Sequence, residues 1–295
     1  MKSDKPKTED VQGFWNASPC GSETALAPEG EEYFRNVESF RYQLEPHILE
    51  VVPFSIGKDK DVLEVGCGLG TDGTRWAKAG ARYTGIDLTP EAVRLASQNF
   101  SWRGLKGHFQ RVDAEHMPFP DASFDLVYSH GVIHHAPDIE QVVSEIYRVL
   151  RPGGQAILMV YHRHSYNYYL NILFLRRLGI LLLLLPGGVS LAHGLTREKK
   201  EVLELHKKLF REKGLAYLGA REFLNANTDG PGNPLSRVYS KREAAHLLKS
   251  FRSVRSEVRY LNRRRLPLLG KLLPERLHDW LSTRWGWHLY LFAEK

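Results

Sequence analysis

The stretch VLEVGCGLGT, residues 62–71, decides the fold. An apolar strand pattern runs directly into three glycines, Gly66, Gly68 and Gly70, and an amphipathic helix pattern follows. Glycine in such a loop lets the backbone turn tightly and come close to a ligand, while the next helix N-terminus offers free N–H groups. The stretch therefore predicts a strand–loop–helix unit that binds a small molecule.

Short apolar runs alternate with amphipathic stretches along residues 61–160, which is typical of βαβ units in a doubly wound parallel sheet. The predicted elements are strand 61–65, helix 71–79, strand 82–86, helix 90–99, strands 108–112 and 124–129, helix 138–150 and strand 155–160. The turn Arg-Pro-Gly-Gly at 151–154 leads into the last strand, because Pro cannot continue a helix. The pattern returns later as helix 241–250, strand 251–260 and strand 286–293.

Three carboxylates flank or follow the ends of the predicted strands. Asp87 comes about twenty residues after Gly66, the spacing at which an acid reaches ribose hydroxyls in open α/β sheets. Asp113, after the third strand, can accept a hydrogen bond from the amine of adenine. Glu64 suits an ammonium group better than a pyrophosphate, and Thr71 stands where a dinucleotide fingerprint requires glycine. The pattern predicts a nucleoside ligand that carries an ammonium group.

The glycine loop, Asp87 and Asp113 are followed along the chain by FDLVYS at 124–129 and LRPGG at 150–154. In this order of motifs, the sequence resembles the class I S-adenosylmethionine-dependent methyltransferases over residues 62 to about 161. The resemblance implies a Rossmann-like, mostly parallel, seven-stranded sheet with the last strand antiparallel, a helical cap insertion, and S-adenosyl-L-methionine as the cofactor. It assigns the methionine part to the glycine loop, the ribose to the acid after strand two and the adenine to the acid after strand three. The implied cofactor residues are Glu64, Gly66, Gly68, Gly70, Asp87 and Asp113, with Ala114 and Glu115 beside the adenine and Ser129 and His130 near the sulfonium.

The stretch DAEHMPFPDASFDLVYSHGVIHH, residues 113–135, looks like the small-molecule branch, which includes ubiquinone, menaquinone and natural-product methyltransferases. Amide and base N-methyltransferases place N/D-P-P-Y/W after strand four, where this chain has Ser-His-Gly-Val at 129–132. The resemblance thus implies methyl transfer to oxygen or carbon of a small, apolar or amphipathic acceptor.

Three histidines follow the fourth strand within six residues: His130, His134 and His135. Histidine titrates near neutrality, and ligands bind at the carboxyl edge of such sheets. We expect His134 or His135 to act as a base or to orient the acceptor. The alternative is a histidine at a helix start that bonds to backbone. The sequence predicts no metal site.

Five segments are predicted. They are a disordered tail at 1–10, lead-in helices at 11–56 broken near Pro46, the cofactor-binding core at 57–161, a helical substrate cap at 162–240, and the C-terminal part of the core sheet with a basic insert at 241–295. The insert contains Arg263, Arg264, Arg265, Lys271 and Arg276. The loop 228–234 consists of turn residues, so Asp229 is interpreted as structural.

Charge divides the chain unequally. Residues 1–160 carry 16 Lys and Arg against 23 Asp and Glu, whereas residues 161–295 carry 25 against 11, so the two parts have net charges of −7 and +14. The basic part indicates either a solvated surface or an anionic partner. The leucine run 178–185 is too short to cross a bilayer, which favours a buried cap helix, with an in-plane membrane helix as the alternative.

Two other functions remain open at this stage. The first is an RNA methyltransferase that uses the basic part, although the interleaved aromatics of single-strand platforms are missing from it. The second is a non-enzymatic, membrane-associated protein that binds a nucleoside. Two cysteines, Cys20 and Cys67, and a polar N-terminus predict a cytoplasmic protein, with a peripheral membrane contact as a possibility.

Overall fold

The structure is a computed structural model, and it describes residues 6–17, 19–22, 30–263 and 273–295. The strands are β1 Asp61–Val65, β2 Arg82–Asp87, β3 His108–Arg111, β4 Phe124–His130, β5 Leu150–His162, β6 Val238–Tyr239, β7 Ser253–Arg259 and β8 His288–Glu294. The helices are α1 Thr8–Ala17, α2 Glu31–Leu44, α3 His47–Val51, α4 Thr71–Lys78, α5 Pro90–Trp102, α6 Ile139–Val149, α7 Arg177–Leu183, α8 Gly188–Thr196, α9 Lys200–Lys213, α10 Ala220–Thr228, α11 Lys241–Leu247 and α12 Glu275–Trp285.

Seven strands form one continuous sheet in the order β3-β2-β1-β4-β5-β8-β7. The pairs from β3 to β5 are parallel, whereas β8 runs antiparallel to both β5 and β7. The mostly parallel sheet with an antiparallel last strand, predicted from the sequence, is therefore confirmed. An eighth strand, the two-residue β6, pairs with the end of β5 and was not predicted.

Strand residues alternate between two apolar layers, as the period of a pleated strand requires. Val62 packs on one face with Trp76 and Tyr128, whereas Leu63 packs on the other with buried residues that include Ile146 of α6. Both faces of β1 are thus covered, which explains its nearly continuous apolar sequence.

The chain departs from the predicted elements at β5. This strand begins at Leu150, which pairs with Phe124, and the register shifts before Gln155 pairs with Leu126. The Arg-Pro-Gly-Gly turn is therefore an irregularity within the strand. Gly153 has φ +76°, and its N–H donates to the Lys295 carbonyl.

The N-terminal part supplies three helices. Helices α2 and α3 are separated at Glu45 and Pro46, as predicted from the position of the proline. Helix α1 begins at Thr8, so residues 8–10 are helical rather than part of the predicted tail. Residues 1–5 of that tail lie outside the described residues, as do Arg264, Arg265 and Lys271 of the predicted basic insert.

Between β5 and β6 the chain is helical and has its own apolar cluster, which includes Tyr161, Ile172 and Phe223. It comprises a π-helical segment at Asn167–Arg176 and helices α7 to α10. The leucine run forms α7 and the turn after it, with Ile180 and Leu183 buried and Leu178 and Leu181 exposed. The expectation of a buried helix thus holds for one face. Within the described ranges, none of the helices has the length and apolar character to cross a bilayer.

Candidate active site

A cavity of about 390 Å³ lies at the carboxyl ends of β1, β2 and β4. This volume is in the range of small-molecule sites. Most of the residues predicted for the site line it, namely Glu64, Gly66, Gly68, Asp87, Asp113, Ala114, Glu115, His130 and His135. Three others, Gly70, Ser129 and His134, are not among the lining residues.

The glycine loop turns sharply at the mouth of β1. The N–H groups of Gly66 and Cys67 both donate to the Ile86 carbonyl, which ties the loop to the end of β2. A Cβ on Gly66 would lie 2.4 Å from the Val132 side chain, so only glycine fits there. Gly68, at φ +51°, has no atom within 4 Å of the place of a Cβ. Its bare backbone faces open space in the cavity and can approach a ligand closely.

Gly70 serves the fold rather than the cavity. It precedes α4 in the left-handed conformation, with φ +71°, and its missing Cβ would lie 3.2 Å from the Cβ of Ala96 in α5. The glycine therefore permits the loop-to-helix turn and the close packing of α4 on α5. We attribute its place in the motif to packing.

Asp87 holds the glycine loop to its own strand end. One carboxylate oxygen accepts from the Gly68 N–H at 3.1 Å, and the other accepts from the N–H and hydroxyl of Thr89, each at 3.0 Å. Burial raises the pKa of Asp87, and these hydrogen bonds oppose the rise. The side chain is thus fixed at the cavity wall before any ligand arrives.

Glu64 is almost fully buried and accepts a hydrogen bond from the Tyr83 hydroxyl at 2.6 Å. Burial and the nearby charge of Asp72 raise its pKa well above the usual range. An uncompensated carboxylate is costly in such a place, so the site favours a cationic ligand group that restores the charge.

Asp113 and Glu115 differ in what they can do. The Asp113 carboxylate accepts from the Glu115 N–H at 2.9 Å and lines the cavity beside Ala114. The Glu115 carboxylate accepts from the Asp138 N–H at 2.7 Å, immediately before α6. Glu115 therefore anchors the start of a helix, and Asp113 remains the carboxylate directed to a ligand.

His130 and Ser129 are both engaged within the protein. The His130 Nδ1 lies 3.2 Å from a guanidinium nitrogen of Arg41, which can only donate, so Nδ1 accepts and Nε2 carries the proton toward the Tyr290 hydroxyl, 2.9 Å away. Burial and Arg41 lower the pKa of His130 well below its usual value. The Ser129 hydroxyl is fully buried and donates to the Val65 carbonyl at 2.8 Å, which explains why it does not reach the cavity.

His135 lines the cavity in a fixed tautomer. Its Nδ1 lies 2.6 Å from the Leu235 carbonyl, which can only accept, so Nδ1 carries the proton and Nε2 keeps its lone pair. The carboxylate of Asp229 lies 3.5 Å from Nε2 and itself accepts from the Tyr161 hydroxyl at 2.8 Å. An imidazole held in this way can accept a proton and share the resulting charge with Asp229.

His134 is in a different position, although it is the adjacent residue. It is fully buried, with ring contacts to His135 and Tyr161, and neither of its nitrogens has a hydrogen-bond partner among the residues that the structure describes. Burial and His135 lower its pKa well below the usual value. The Nε2 atom of His135 is also buried and without a hydrogen-bond partner among the described residues, but His135 lines the cavity and lies near the Asp229 carboxylate. The geometry therefore favours His135 over His134 as a proton acceptor.

The sequence reasoning missed an ion pair that forms part of the cavity wall. Arg41 of α2 donates two hydrogen bonds to Asp72 of α4, at 2.9 and 2.7 Å, and the hydroxyls of Tyr42 and Tyr128 donate to the same carboxylate. Burial would raise the pKa of Asp72, but Arg41 outweighs it and holds the pKa below its usual value. Asp72 lies in the first turn of α4, and its partner Arg41 comes from a distant segment, so no local pattern marks the pair.

A second missed group surrounds Glu45, which also lines the cavity. The Glu45 carboxylate lies 3.5 Å from Nε2 of His288 and 3.7 Å from Arg41, and Nδ1 of His288 lies 3.0 Å from Nε2 of His47. Burial, opposed by Arg41, raises the pKa of Glu45 to about 7. Asp229, interpreted from the sequence as structural, also lines the cavity. These residues come from distant segments, and no local pattern marks them.

The part of the chain that forms this site is similar to a known protein family. Residues 63–158 match the family model described as a methyltransferase domain. The chain contains a methyltransferase domain. The match covers β1 to β5, the elements that carry the glycine loop and the carboxylates of the cavity.

Curated relatives of this methyltransferase domain act on small molecules, by their names. The sterol 24-C-methyltransferase erg-4 of Neurospora crassa is 38% identical over 128 residues, which are 42% of this chain and 32% of that protein. A probable chloroplastic tocopherol O-methyltransferase of Oryza sativa subsp. japonica is 41% identical over 111 residues, 36% of this chain and 31% of that protein. The chain thus spans about a third of the length of the curated relatives it matches.

Solved structures extend the likeness in fold beyond the methyltransferase domain. The crystal structure of the [4+2]-cyclase SpnF is similar with a TM-score of 0.52 at 16% identity, over 98% of this chain and 96% of that one. At this identity the likeness concerns the fold alone.

The cofactor that the methyltransferase domain implies is S-adenosyl-L-methionine, and the residues present fit it. Three carboxylates, Glu64, Asp87 and Asp113, line one cavity, and Gly68 leaves open space beside them. Acidic groups suit a ligand that carries an ammonium, a sulfonium and ribose hydroxyls. Within the described ranges, no group of three His, Cys, Asp or Glu side chains is arranged to hold a metal ion.

Proposed function

We propose that the protein transfers the methyl group of S-adenosyl-L-methionine to an oxygen or carbon atom of a small, apolar or amphipathic acceptor. The observation that carries this proposal is the cavity shared by Glu64, Asp87, Asp113 and His135. The named activities of the relatives support the chemical class of the acceptor, since sterols and tocopherols are largely apolar.

In this proposal the cofactor half of the cavity is held by the loop and the strand ends. Asp87, already oriented by Gly68 and Thr89, binds the ribose hydroxyls, and Asp113 binds the adenine amine. Glu64 pairs with the ammonium group. Gly70 and Ser129 support these residues through packing and hydrogen bonds, whereas Glu115 lines the cavity with its carboxylate bonded to the Asp138 N–H.

The acceptor half is lined by apolar side chains of the N-terminal helices and of β5, including Trp15, Phe40, Leu44 and Met159. The bound cofactor supplies an electrophilic methyl carbon on its sulfonium sulfur. The protein aligns the acceptor with that carbon and excludes water, which accounts for much of the rate of such a displacement. His135 Nε2 removes the proton of the acceptor, and Asp229 stabilises the imidazolium that forms.

Binding of the product nucleoside tests the cofactor half. Isothermal titration should show that Asp87→Ala weakens S-adenosylhomocysteine binding by tenfold or more, because the ribose contact and the anchor of Gly68 are both lost. Asp279→Ala, which removes an exposed carboxylate on α12, should bind like the parent. Equal affinity of the Asp87 variant and the parent would remove the ribose assignment.

The acceptor is identified by incubating the protein with labelled S-adenosylmethionine and fractionated cell extract, followed by mass analysis of the product. Label in an apolar small-molecule fraction is the expected result. Label in RNA would replace this proposal with the RNA methyltransferase alternative. Nucleoside binding without label in any fraction would favour the non-enzymatic alternative.

A further inference from the structure

A surface of the helical part between β5 and β6 is unusually apolar. After Arg177 at its start, helix α7 is hydrophobic on all sides, and only one of its faces packs on the protein, through Ile180 and Leu183. A helix that is hydrophobic all round is normally buried or in contact with lipid. The opposite side of α7, the segment before it and helix α8 together expose the residues that we name the leucine face: Phe174, Leu178, Leu181, Leu185, Leu191 and Leu195.

The spacing shows that these side chains form stripes rather than scattered exposures. Leu178, Leu181 and Leu185 are separated by three and four residues, so they lie along one face of the helix and the turn that follows. Leu191 and Leu195, four residues apart, do the same on α8, which packs against α7. Each is more than half exposed, and exposed apolar patches of this kind mark interaction sites.

The segment that carries the leucine face has charged side chains of one sign only. Residues 163–197 contain four arginines and no Asp or Glu, and the next residue, Glu198, is paired with Arg176 at 3.2 Å. Arg197 and Lys200 follow α8 directly and are exposed. Leucines beside lysine and arginine are the composition of helices that lie in the plane of a membrane, with cations at the headgroups. A second copy of the chain would instead bring this basic segment against itself.

We propose that the leucine face docks on a membrane surface that contains anionic phospholipid, with α7 and α8 lying in the headgroup plane. The leucines enter the acyl boundary, and Arg197 and Lys200 contact the headgroups. The proposed contact is peripheral, and no helix within the described part of the chain is long and apolar enough to span the bilayer.

Docking there gives the cavity a route to apolar acceptors, an extension that rests on the proposed function. The apolar cluster behind the leucine face also contains Tyr161, and Tyr161 lines the cavity. Helix α10 of the same helical part ends at Thr228, next to Asp229 in the cavity wall. The helical part therefore carries the proposed lipid contact and also contributes to the cavity wall, so it links an acceptor dissolved in the bilayer to the site.

Vesicle flotation of the full chain tests the docking. The protein should float with vesicles of phosphatidylcholine that contain about one third phosphatidylglycerol, and much less with phosphatidylcholine alone. The combined variant Leu178→Gln, Leu181→Gln, Leu185→Gln should lower the bound fraction by about tenfold or more, since each substitution removes apolar burial in the lipid. Arg197→Glu with Lys200→Glu should abolish the preference for anionic vesicles, and added salt should weaken it.

The matched control is Leu215→Gln, because Leu215 is 79% exposed, more than any residue of the leucine face, and lies outside it. This variant should float like the parent. All variants replace exposed side chains, and an unchanged far-ultraviolet circular dichroism spectrum and melting temperature show that they are folded.

Three results would overturn the proposal. The parent protein fails to float with either kind of vesicle, or the triple leucine variant floats as well as the parent. The third is a parent dimer, measured by light scattering, that becomes a monomer in the leucine variant, since a second copy would then cover the face. Flotation requires neither cofactor nor methyl transfer, so a protein that floats but fails to bind the nucleoside contradicts the proposed function alone.

Discussion

His134 and His135 are neighbours in sequence but differ in what their ring nitrogens can do. The Leu235 carbonyl fixes the tautomer of His135 and leaves Nε2 with a lone pair near Asp229. His134 is closed off from the cavity by the packing of His135 and Tyr161. A proton acceptor must reach the acceptor molecule, so we expect His135 rather than His134 to act as the base.

Substitution of His135 should therefore lower kcat strongly, whereas substitution of His134 should leave kcat nearly unchanged. His135→Gln should lower kcat for the acceptor found in extract by about 10²- to 10⁴-fold, the usual contribution of a general base, without changing S-adenosylhomocysteine affinity. His134→Leu should keep kcat within about threefold and should not lower the melting temperature, because it removes two buried nitrogens that lack partners. Equal loss of kcat in both variants would contradict the assignment.

The raised pKa of Glu64 predicts a pH dependence of cofactor binding. Burial and Asp72 keep this carboxyl protonated in the free protein to a higher pH than usual, whereas an ammonium ligand requires the carboxylate. Binding must then release a proton, so affinity for S-adenosylhomocysteine should fall by up to about tenfold per pH unit as the pH drops below the raised pKa.

Titration calorimetry in buffers of different ionisation enthalpy measures the released proton directly. Glu64→Gln should bind more weakly at neutral pH and should show neither proton release nor this pH dependence. Proton release that persists unchanged in the Gln variant would assign it to another group.

At the scale of secondary-structure elements, two ion pairs join α2 to α4, namely Arg41 with Asp72 and Arg75 with Glu38. Arg41 joins α2 to Asp72 at the start of α4, and Tyr128 of β4 donates to the same carboxylate. The helix that covers the cavity is thus bound to the helix that begins at the glycine loop. Displacement of α2 would open the acceptor half to water.

Removal of the ion pair of Arg41 with Asp72 should destabilise the protein more than removal of a surface pair on the same helix. Arg41→Ala leaves Asp72 buried without its countercharge, which should lower the free energy of unfolding by about 3 kcal/mol. Arg35→Ala breaks the exposed pair of Arg35 with Glu31 and should cost less than about 1 kcal/mol. Urea denaturation of both variants measures the difference, and similar values would show that the Arg41 pair contributes little.

At the scale of the whole molecule, the sequence predicted the strands, helices and cavity residues that a local pattern marks. The apolar periods gave the order of β1 to β5, because each strand and helix has its own signature. Asp87 and Asp113 line the cavity as expected, since residues at the carboxyl ends of neighbouring parallel strands meet at one edge. The motif predicted which residues lie near the cavity but not which way they face, and Gly70 and Ser129 are not among its lining residues.

The sequence did not predict what arises from contacts between distant segments. Glu45 and His288 meet only after α2 has packed near the first residue of β8. Arg41 of α2 meets Asp72 of α4 only when these two helices pack together. The early start of β5 depends on pairing of Leu150 with Phe124, which overrides the turn signal of Arg-Pro-Gly-Gly. Such contacts are set by tertiary packing, for which a single sequence carries no local sign.

The order of the strands also has a consequence for biosynthesis. Strand β8 lies between β5 and β7 in the sheet. One edge of β5 therefore has no partner until β8 is translated, after the 125 residues 163–287. At the usual speed of translation, about 5–20 residues per second, that delay is roughly 6–25 s. During this interval the nascent chain presents an unpaired, strongly apolar strand, and we expect ribosome-associated chaperones to govern its yield.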